Sequence, residues 1–545
     1  MQSLLPIEKV AQKIGLAKDD LEFYGKYKAK ILGQPSNKVK NNNLILVTAM
    51  TPGKFGEGKT TVSIGLSQAL WQLNTPNIVV LREPSLGPCF GMKGGATGGG
   101  LATIEPQDDI NYHFTGDIHA VTYAHNLLSS LIDNSLYFDN PFDIDINSIF
   151  WPRVLDLNDR ALREITTRMA KKDGSEIVQK TRFDISVTSE VMAILCLSKD
   201  LNDLKERLGK IIIGFDKNGR PVTAKMLKAD GAMTVLLKDA LKPNLVQTSE
   251  GTPAVVHGGP FANIAHGTAS LLAIKTAQQL APYTIVEAGF GADLGAEKFL
   301  DIVCRLGALQ PKAAVLIVTT RAVEESGIEN VKKHVENLQN FGLNVIICLN
   351  RFTDDNFKTI KLINQFASAN NLPIAETFVF QKGGKGGIDL AKLVLEACQK
   401  ETVIARNRVT KQSQKNDEIA TLPSVARNDD GTGLNFVYNL SDSPQEKILK
   451  LCQKIYGAKD VDYTSEAKSQ LDKFGKLAKS FYICMAKTQY SLSDNPDIKG
   501  APENYTFRVR EVRLAAGAQF LIPVAGEIMT MPGLPRHPLA ETINI

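Results

Sequence analysis

Residues Gly53 to Thr60 read Gly-Lys-Phe-Gly-Glu-Gly-Lys-Thr, which matches G-x-x-x-x-G-K-[ST] in full. The chemistry of that spacing is phosphate binding. Gly53, Gly56 and Gly58 let backbone N–H groups close around phosphate oxygens, with Lys54, Phe55 and Glu57 at the variable positions. Lys59 reaches the terminal phosphates of a nucleoside triphosphate, and the Thr60 hydroxyl can ligate its Mg²⁺. A helix starting there adds a favourable field for negative charge. The loop alone does not name a reaction, because kinases, GTPases, ligases and motors share it.

A second group of residues follows a short apolar run ending at Leu81. Arg82 can neutralise charge on a transferring phosphoryl group, and Glu83 can hold a metal ion or orient a substrate. An ordinary surface ion pair would leave the same dipeptide. Seven glycines between Gly87 and Gly100 favour the functional reading, since such a run costs chain entropy unless backbone must approach closely. His113, His119 and His125 lie six residues apart. On a helix that spacing alternates faces, so they form no zinc triad. His257 to Gly267 (HGGPFANIAHG) and Glu287 to Phe299 (EAGFGADLGAEKF) are two further glycine-rich blocks. In the latter, Glu287, Asp293 and Glu297 are available for metal or phosphate-magnesium contacts.

The elements that must position these residues are legible as periodicity. Leu44–Thr48 and Asn77–Leu81 are buried-strand signatures, and Thr61–Leu73 between them reads as a helix. Strand, glycine loop, helix and strand make a βαβ unit, so a parallel sheet is expected. Further strands are expected at Tyr283–Glu287, Ala313–Thr319, Asn344–Asn350, Phe507–Leu514 and Phe520–Val524. The first forty residues read as short amphipathic helices. The expectation is an α/β protein: a P-loop NTPase-like, mostly parallel sheet domain over 1–350 with insertions, and two smaller α/β domains over 351–440 and 441–545. Residues 402–434 read as a polar surface loop.

Composition excludes several classes. The 545 residues carry 63 basic and 58 acidic side chains, a net charge of +5. That is too small an excess for a nucleic-acid protein. No segment reaches the ~18 apolar residues of a membrane span, and the N-terminus lacks a signal-peptide pattern. The seven scattered cysteines suit free thiols in a reducing cytoplasm.

The blocks GEGKTT, REPSLGP, HFTGDIHAVTYAHN, KPNLVQT, HGGPFANIAHG, EAGFGADLGAEKF, KGGKGG, MAKTQYS, VREVRL and TMPGLP together resemble the formate–tetrahydrofolate ligases. The resemblance runs from residue 44 to the C-terminus. It implies an enzyme that phosphorylates formate with ATP and Mg²⁺, then passes the formyl group from formyl phosphate to N10 of tetrahydrofolate. Lys59 matches the family's loop lysine, Arg82 its arginine for formyl phosphate, and Glu83 the adjoining acid. His257 is the expected further contact to formyl phosphate. Phe352 in LNRFTDD and Phe380 in FVFQKGG match the two aromatics that sandwich the pterin. The resemblance also implies a homotetramer activated by a monovalent cation, K⁺ or NH₄⁺, with only small-molecule substrates as partners, and no nucleic acid or membrane.

This chain departs from the family's pattern at Gly53-Lys54-Phe55, where relatives carry Thr-Pro and a small residue, and at Phe380, often tryptophan. Two other readings compete. Asn350-Arg351-Phe352-Thr353-Asp354 loosely resembles a guanine-reading N-K-x-D, but the spacing is one residue too long. A non-catalytic scaffold would be free to lose Lys59, Arg82 and Glu83, which are intact.

Overall fold

The computed structural model describes residues 4–33, 39, 41–53, 56–91, 96–400 and 433–542. Lys54, Phe55 and nearly all of the 402–434 stretch therefore lie outside the described residues. One 12-stranded sheet organises the fold. In chain order its strands are β1 (Leu21–Phe23), β2 (Ala29–Ile31), β3 (Asn43–Ala49), β4 (Asn77–Leu81), β5 (Gly98–Gly99), β6 (Ala102–Glu105), β7 (Asn244–Thr248), β8 (Pro253–Val256), β9 (Tyr283–Glu287), β10 (Pro311–Val318), β11 (Asn344–Asn350) and β12 (Ile374–Thr377). They lie in the order β1-β2-β7-β8-β4-β9-β3-β10-β11-β12, with β6 against β7 and β5 against β6. Every pairing from β8 to β12 is parallel. Those on the β1, β2, β5, β6 and β7 side are antiparallel.

The reason for the parallel block is visible in β3. Its sequence, NLILVTA, is buried along almost its whole length, as expected of a strand covered on both faces. Successive side chains feed opposite layers. Ile45 and Val47 join Val79, Leu81 and Ile285 on one face, while Leu44 and Leu46 join Ile78, Val80 and Val286 on the other.

Helix α1 (Lys59–Gln72) returns from β3 to β4 and is buried continuously from Val62 to Leu70. It packs by close backbone approach rather than by a single apolar stripe. A Cβ at Gly65 would stand 2.4 Å from Val379 Cβ. Helix α2 (Asp117–Tyr137), helix α3 (Thr320–Asn340) and helix α4 (Ile388–Gln399) are the other elements that matter for the site.

Two expectations change. Among the described opening residues stand one short α-helix, Ile7–Gln12, and a 3₁₀ turn, Lys18–Asp20, and the chain then supplies β1 and β2 to the large sheet. All three residues of β2 are buried, and tertiary pairing with β7 overrides the local helical pattern. The run Phe507–Leu514 is two strands, Thr506–Val509 and Glu511–Ala515, because each pairs with a different neighbour. At the other margin of the large sheet, β12 pairs in parallel with β11. The C-terminal strands form separate two- and three-stranded sheets. The molecule is an α/β protein with a large, mixed, mostly parallel sheet and smaller accessory sheets.

Gly65→Ala is expected to destabilise the protein. Alanine gains about 1 kcal/mol of helix propensity, but overlap with Val379 costs about 1–3 kcal/mol. A lowered melting temperature, partly restored in Gly65→Ala/Val379→Ala, checks this.

Candidate functional site

Because β4, β9, β3, β10 and β11 are adjacent and parallel, their carboxyl ends share one edge. Along that edge stand Arg82, Glu287, Thr51, Thr319 and Asn350. Ligands of open α/β sheets bind at this position.

The phosphate-loop sequence leaves the end of β3 there. Gly56 and Gly58 adopt φ of 74° and 71°, a region that costs other L-residues energy. Gly58 also lies under Asn350, whose Nδ2 would be 2.7 Å from an added Cβ. Glu57 is buried and faces inward. Its carboxylate accepts from Gly53 N–H at 2.8 Å and from the Thr319 hydroxyl, and its carbonyl accepts from Asn350 Nδ2 at 3.1 Å. Glu57 thus staples the loop to the ends of β10 and β11. Lys59 and Thr60 open α1 and are half-buried.

Arg82 emerges from β4 with its side chain 21% exposed, Nη1 donating to Pro260 O at 3.1 Å and Nη2 lying 3.9 Å from Glu287 Oε1. Gly289 makes room for it: a Cβ there would lie 2.9 Å from the guanidinium. Burial lowers the arginine's proton affinity and Glu287 opposes that shift. Glu83 points into a closed environment, with Oε2 unpartnered. Its carboxyl is pushed well above the usual carboxylate range, first by burial and then by Asp117, while Lys30 opposes the shift. Lys30 forms a buried ion pair with Asp117 at 2.7 Å, and Asn244 Nδ2 donates to the other Asp117 oxygen. A neutral Glu83 is therefore the form this site favours until a cation or donor compensates its charge.

His257 is fully buried, with both ring nitrogens engaged. Ala240 O can only accept, so Nε2 carries the proton and donates to it at 2.6 Å. Nδ1 then accepts from the Ser270 hydroxyl at 2.6 Å. Ser270 Oγ in turn caps the helix Leu271–Leu280 through Ala273 N. In contrast, both nitrogens of His266 are buried without a partner. They lie in the loop that Arg82 and Lys298 hold through Pro260 O and Ala262 O. Burial, Lys298 and Arg82 all keep His266 neutral, in that order. The block HGGPFANIAHG contained this residue, but two histidines in one loop gave no sequence signal for which one lacked a partner.

The two aromatics occupy separate supports. Phe352 is half-buried, with the Arg321 guanidinium 4.6 Å from its ring centroid. Phe380 is 52% exposed. Under it lies part of the glycine run: a Cβ at Gly99 would stand 3.0 Å from Phe380 Cε2, and at Gly100 2.0 Å from Phe380 O. Leu101 N–H donates to Phe380 O at 2.9 Å. Close backbone approach to the Phe380 turn is thus one physical reason for the glycines. No contact joins Phe352 to Phe380 among the described residues. His113 precedes α2 and is exposed; on the helix His119 is exposed and His125 buried, so only these last two lie on different faces. Among the described residues no three His, Cys, Asp or Glu side chains form a metal-binding group, and no helix is long and apolar enough to cross a membrane.

The sheet and its edge define an α/β protein with a phosphate-binding sequence at the end of a central parallel strand and an arginine-bearing strand two places away. The family model for formate–tetrahydrofolate ligase matches residues 1–428 and 417–545, so the chain belongs to that family. Membership assigns it the ATP-dependent joining of formate to tetrahydrofolate.

Four buried imidazoles give a pH signature. His125, His257 and His334 are held at about 4, and His266 at about 3, in each case chiefly by burial. The unfolded chain takes up these protons near the ordinary value of ~6.5. Between pH 6.5 and 4 it therefore binds more protons than the native state, and stability falls as pH falls through that window. His125→Gln should flatten the slope of unfolding free energy between pH 7 and 5 by up to about 1.4 kcal/mol per pH unit. Denaturant titrations across that range read it.

Proposed function

We propose that ATP is held by Gly53–Thr60 and that its γ-phosphoryl group is transferred to formate at the carboxyl edge of the large sheet, beside Arg82. The reading supposes a P-loop NTPase-like placement of the nucleotide, with Lys59 on the terminal phosphates and Thr60 on Mg²⁺. The supporting observation is the shared edge. Lys59 opens the helix after β3, Glu287 ends the adjacent strand β9, and Arg82 follows β4, the next strand out.

The chemistry is a divided condensation. A formate oxygen attacks the γ-phosphorus, ADP leaves, and formyl phosphate forms. N10 of tetrahydrofolate then attacks the formyl carbon, phosphate departs, and N10 gives up its proton. Arg82 is suited to the charge spread over the transferring phosphoryl oxygens. Glu83, buried beside Lys30 and Asp117, orients the reacting groups. His257 is assigned a positioning role, because its two nitrogens are committed to Ala240 and Ser270. Phe352 and Phe380 are assigned to the pterin.

On the same reading residues 1–350 form the ATP-binding domain with insertions, 351–440 a second α/β domain that contributes both folate-site aromatics, and 441–545 a C-terminal α/β domain. β12 ties the middle portion to the first. Assembly as a tetramer, a requirement for K⁺ or NH₄⁺, and a cytoplasmic location complete the proposal.

The direct test supplies the purified chain with formate, MgATP and tetrahydrofolate over a range of K⁺ and NH₄⁺ and measures 10-formyltetrahydrofolate. No product under any condition would overturn the reading. Lys59→Ala should abolish product and MgATP binding together. Phe380→Ala should raise KM for tetrahydrofolate five- to thirty-fold, the equivalent of about 1–2 kcal/mol, and leave MgATP binding unchanged. Weakened ATP binding with intact folate affinity would place Phe380 elsewhere.

A further inference from the structure

The phosphate loop is held at its entry by residues outside the loop sequence. Thr51 lies two residues past the end of β3, and its backbone N–H donates to His334 Nε2 at 2.9 Å, with Asn330 Oδ1 at 3.2 Å as a second acceptor. The Thr51 hydroxyl is 3.1 Å from His334 Nε2 and accepts from Asn330 Nδ2 at 2.9 Å. Asn330 and His334 are four residues apart on α3 and so share a face.

An amide N–H can only donate, so Nε2 must offer its lone pair and the imidazole proton sits on Nδ1. That nitrogen is enclosed and has no partner. Asp293 lies beside it. An added Cβ at Gly291 would be 2.5 Å from Asp293 Oδ1 and 3.5 Å from His334 Cε1. The carboxylate and the imidazole edge thus border the same small space, and the carboxylate acts on the ring through its charge.

Asp293 is itself set by the C-terminal part of the chain. Lys487, fully buried, pairs with its Oδ2 at 2.7 Å and donates to Thr488 O and Ser491 O. Two more links join this region to the loop. Asn330 Nδ2 donates to Gly500 O at 2.8 Å, and Lys499 pairs at 3.2 Å with Glu325, whose other oxygen lies 3.1 Å from a Cβ position at Gly53.

We infer that His334 is a positioning residue for the ATP-binding loop, its tautomer favoured by the Asp293 carboxylate that Lys487 holds from the C-terminal segment. The inference rests on ATP binding at Gly53–Thr60. A neutral imidazole is essential to it, because imidazolium could not accept the Thr51 N–H. Asp293, Lys487 and Lys333 are the charged groups that act on the ring: burial, aided by the two lysines, keeps it neutral, and Asp293 alone opposes.

The test compares His334→Phe, His334→Gln and Asp293→Asn with the parent chain, using MgATP titration calorimetry, steady-state kinetics and melting temperature. His334→Phe removes the acceptor and should raise the MgATP dissociation constant and KM at least tenfold, leaving KM for tetrahydrofolate within twofold. His334→Gln keeps an acceptor at the same reach and should recover MgATP binding to within about threefold. Asp293→Asn should reproduce the selective loss, and adding it to His334→Phe should cost little more. Unchanged MgATP binding in His334→Phe overturns the inference. So does a uniform rise in every KM without rescue by glutamine, which is a structural effect alone. If His334→Phe does not fold, Asp293→Asn decides by the same criteria. Lys59→Ala separates the two levels: if it binds MgATP normally, the nucleotide-site assignment itself has failed.

Discussion

The parallel register at the centre of the sheet is the constraint on which the rest depends. Strand Asn43–Ala49 pairs in parallel with Tyr283–Glu287 on one side and Pro311–Val318 on the other, and the next strands outward keep the same direction. Backbone hydrogen bonds therefore fix which residues emerge side by side. Arg82, Glu287, Thr51, Thr319 and Asn350 are distant in sequence but occupy neighbouring strand ends. A family match names the reaction. Strand direction explains why its charged groups meet.

Around that edge the protein accepts unusual local costs. Glu83, His266 and Glu287 all keep buried polar atoms without partners, each worth about 1–3 kcal/mol when left unpaired. Such groups concentrate where a ligand supplies the missing partner. By contrast His257, His125 and Glu57 are fully committed to neighbouring protein groups. Their work is to hold loops and helix starts in place. Burial and hydrogen-bond satisfaction thus divide residues that the sequence presents as equals.

Much of the architecture was legible because its strands are short apolar runs with nothing else to be. Tyr283–Glu287 and Asn344–Asn350 have the ends that patterning predicts. The loop Gly53–Thr60 was legible because its chemistry requires fixed residue types at fixed spacing. The N-terminal strands were not, since three-residue strands carry no periodicity and are defined by pairing, Ala29–Ile31 with Asn244–Thr248 and Leu21–Phe23 with Ala29–Ile31. Nor was the isolation of His266, or the grip of His334 on Thr51, for these depend on contacts spanning hundreds of residues. The run Phe507–Leu514 looked continuous because both its strands are apolar on alternate residues, and only their different partners divide it.

The two N-terminal strands have one more consequence. A sheet of this width presents a row of unpaired backbone groups at each margin, which is a template for association with other chains. Leu21–Phe23 and Ala29–Ile31 close the margin that Asn244–Thr248 would otherwise expose, and the closing strand is only three residues long. The opening thirty residues thus act as a selvedge, finishing the fabric so that it does not continue into a neighbour. A chain trimmed to the phosphate-binding region would keep the chemistry's scaffold but lose that finish, and its solubility, rather than its active site, would be the first property to suffer.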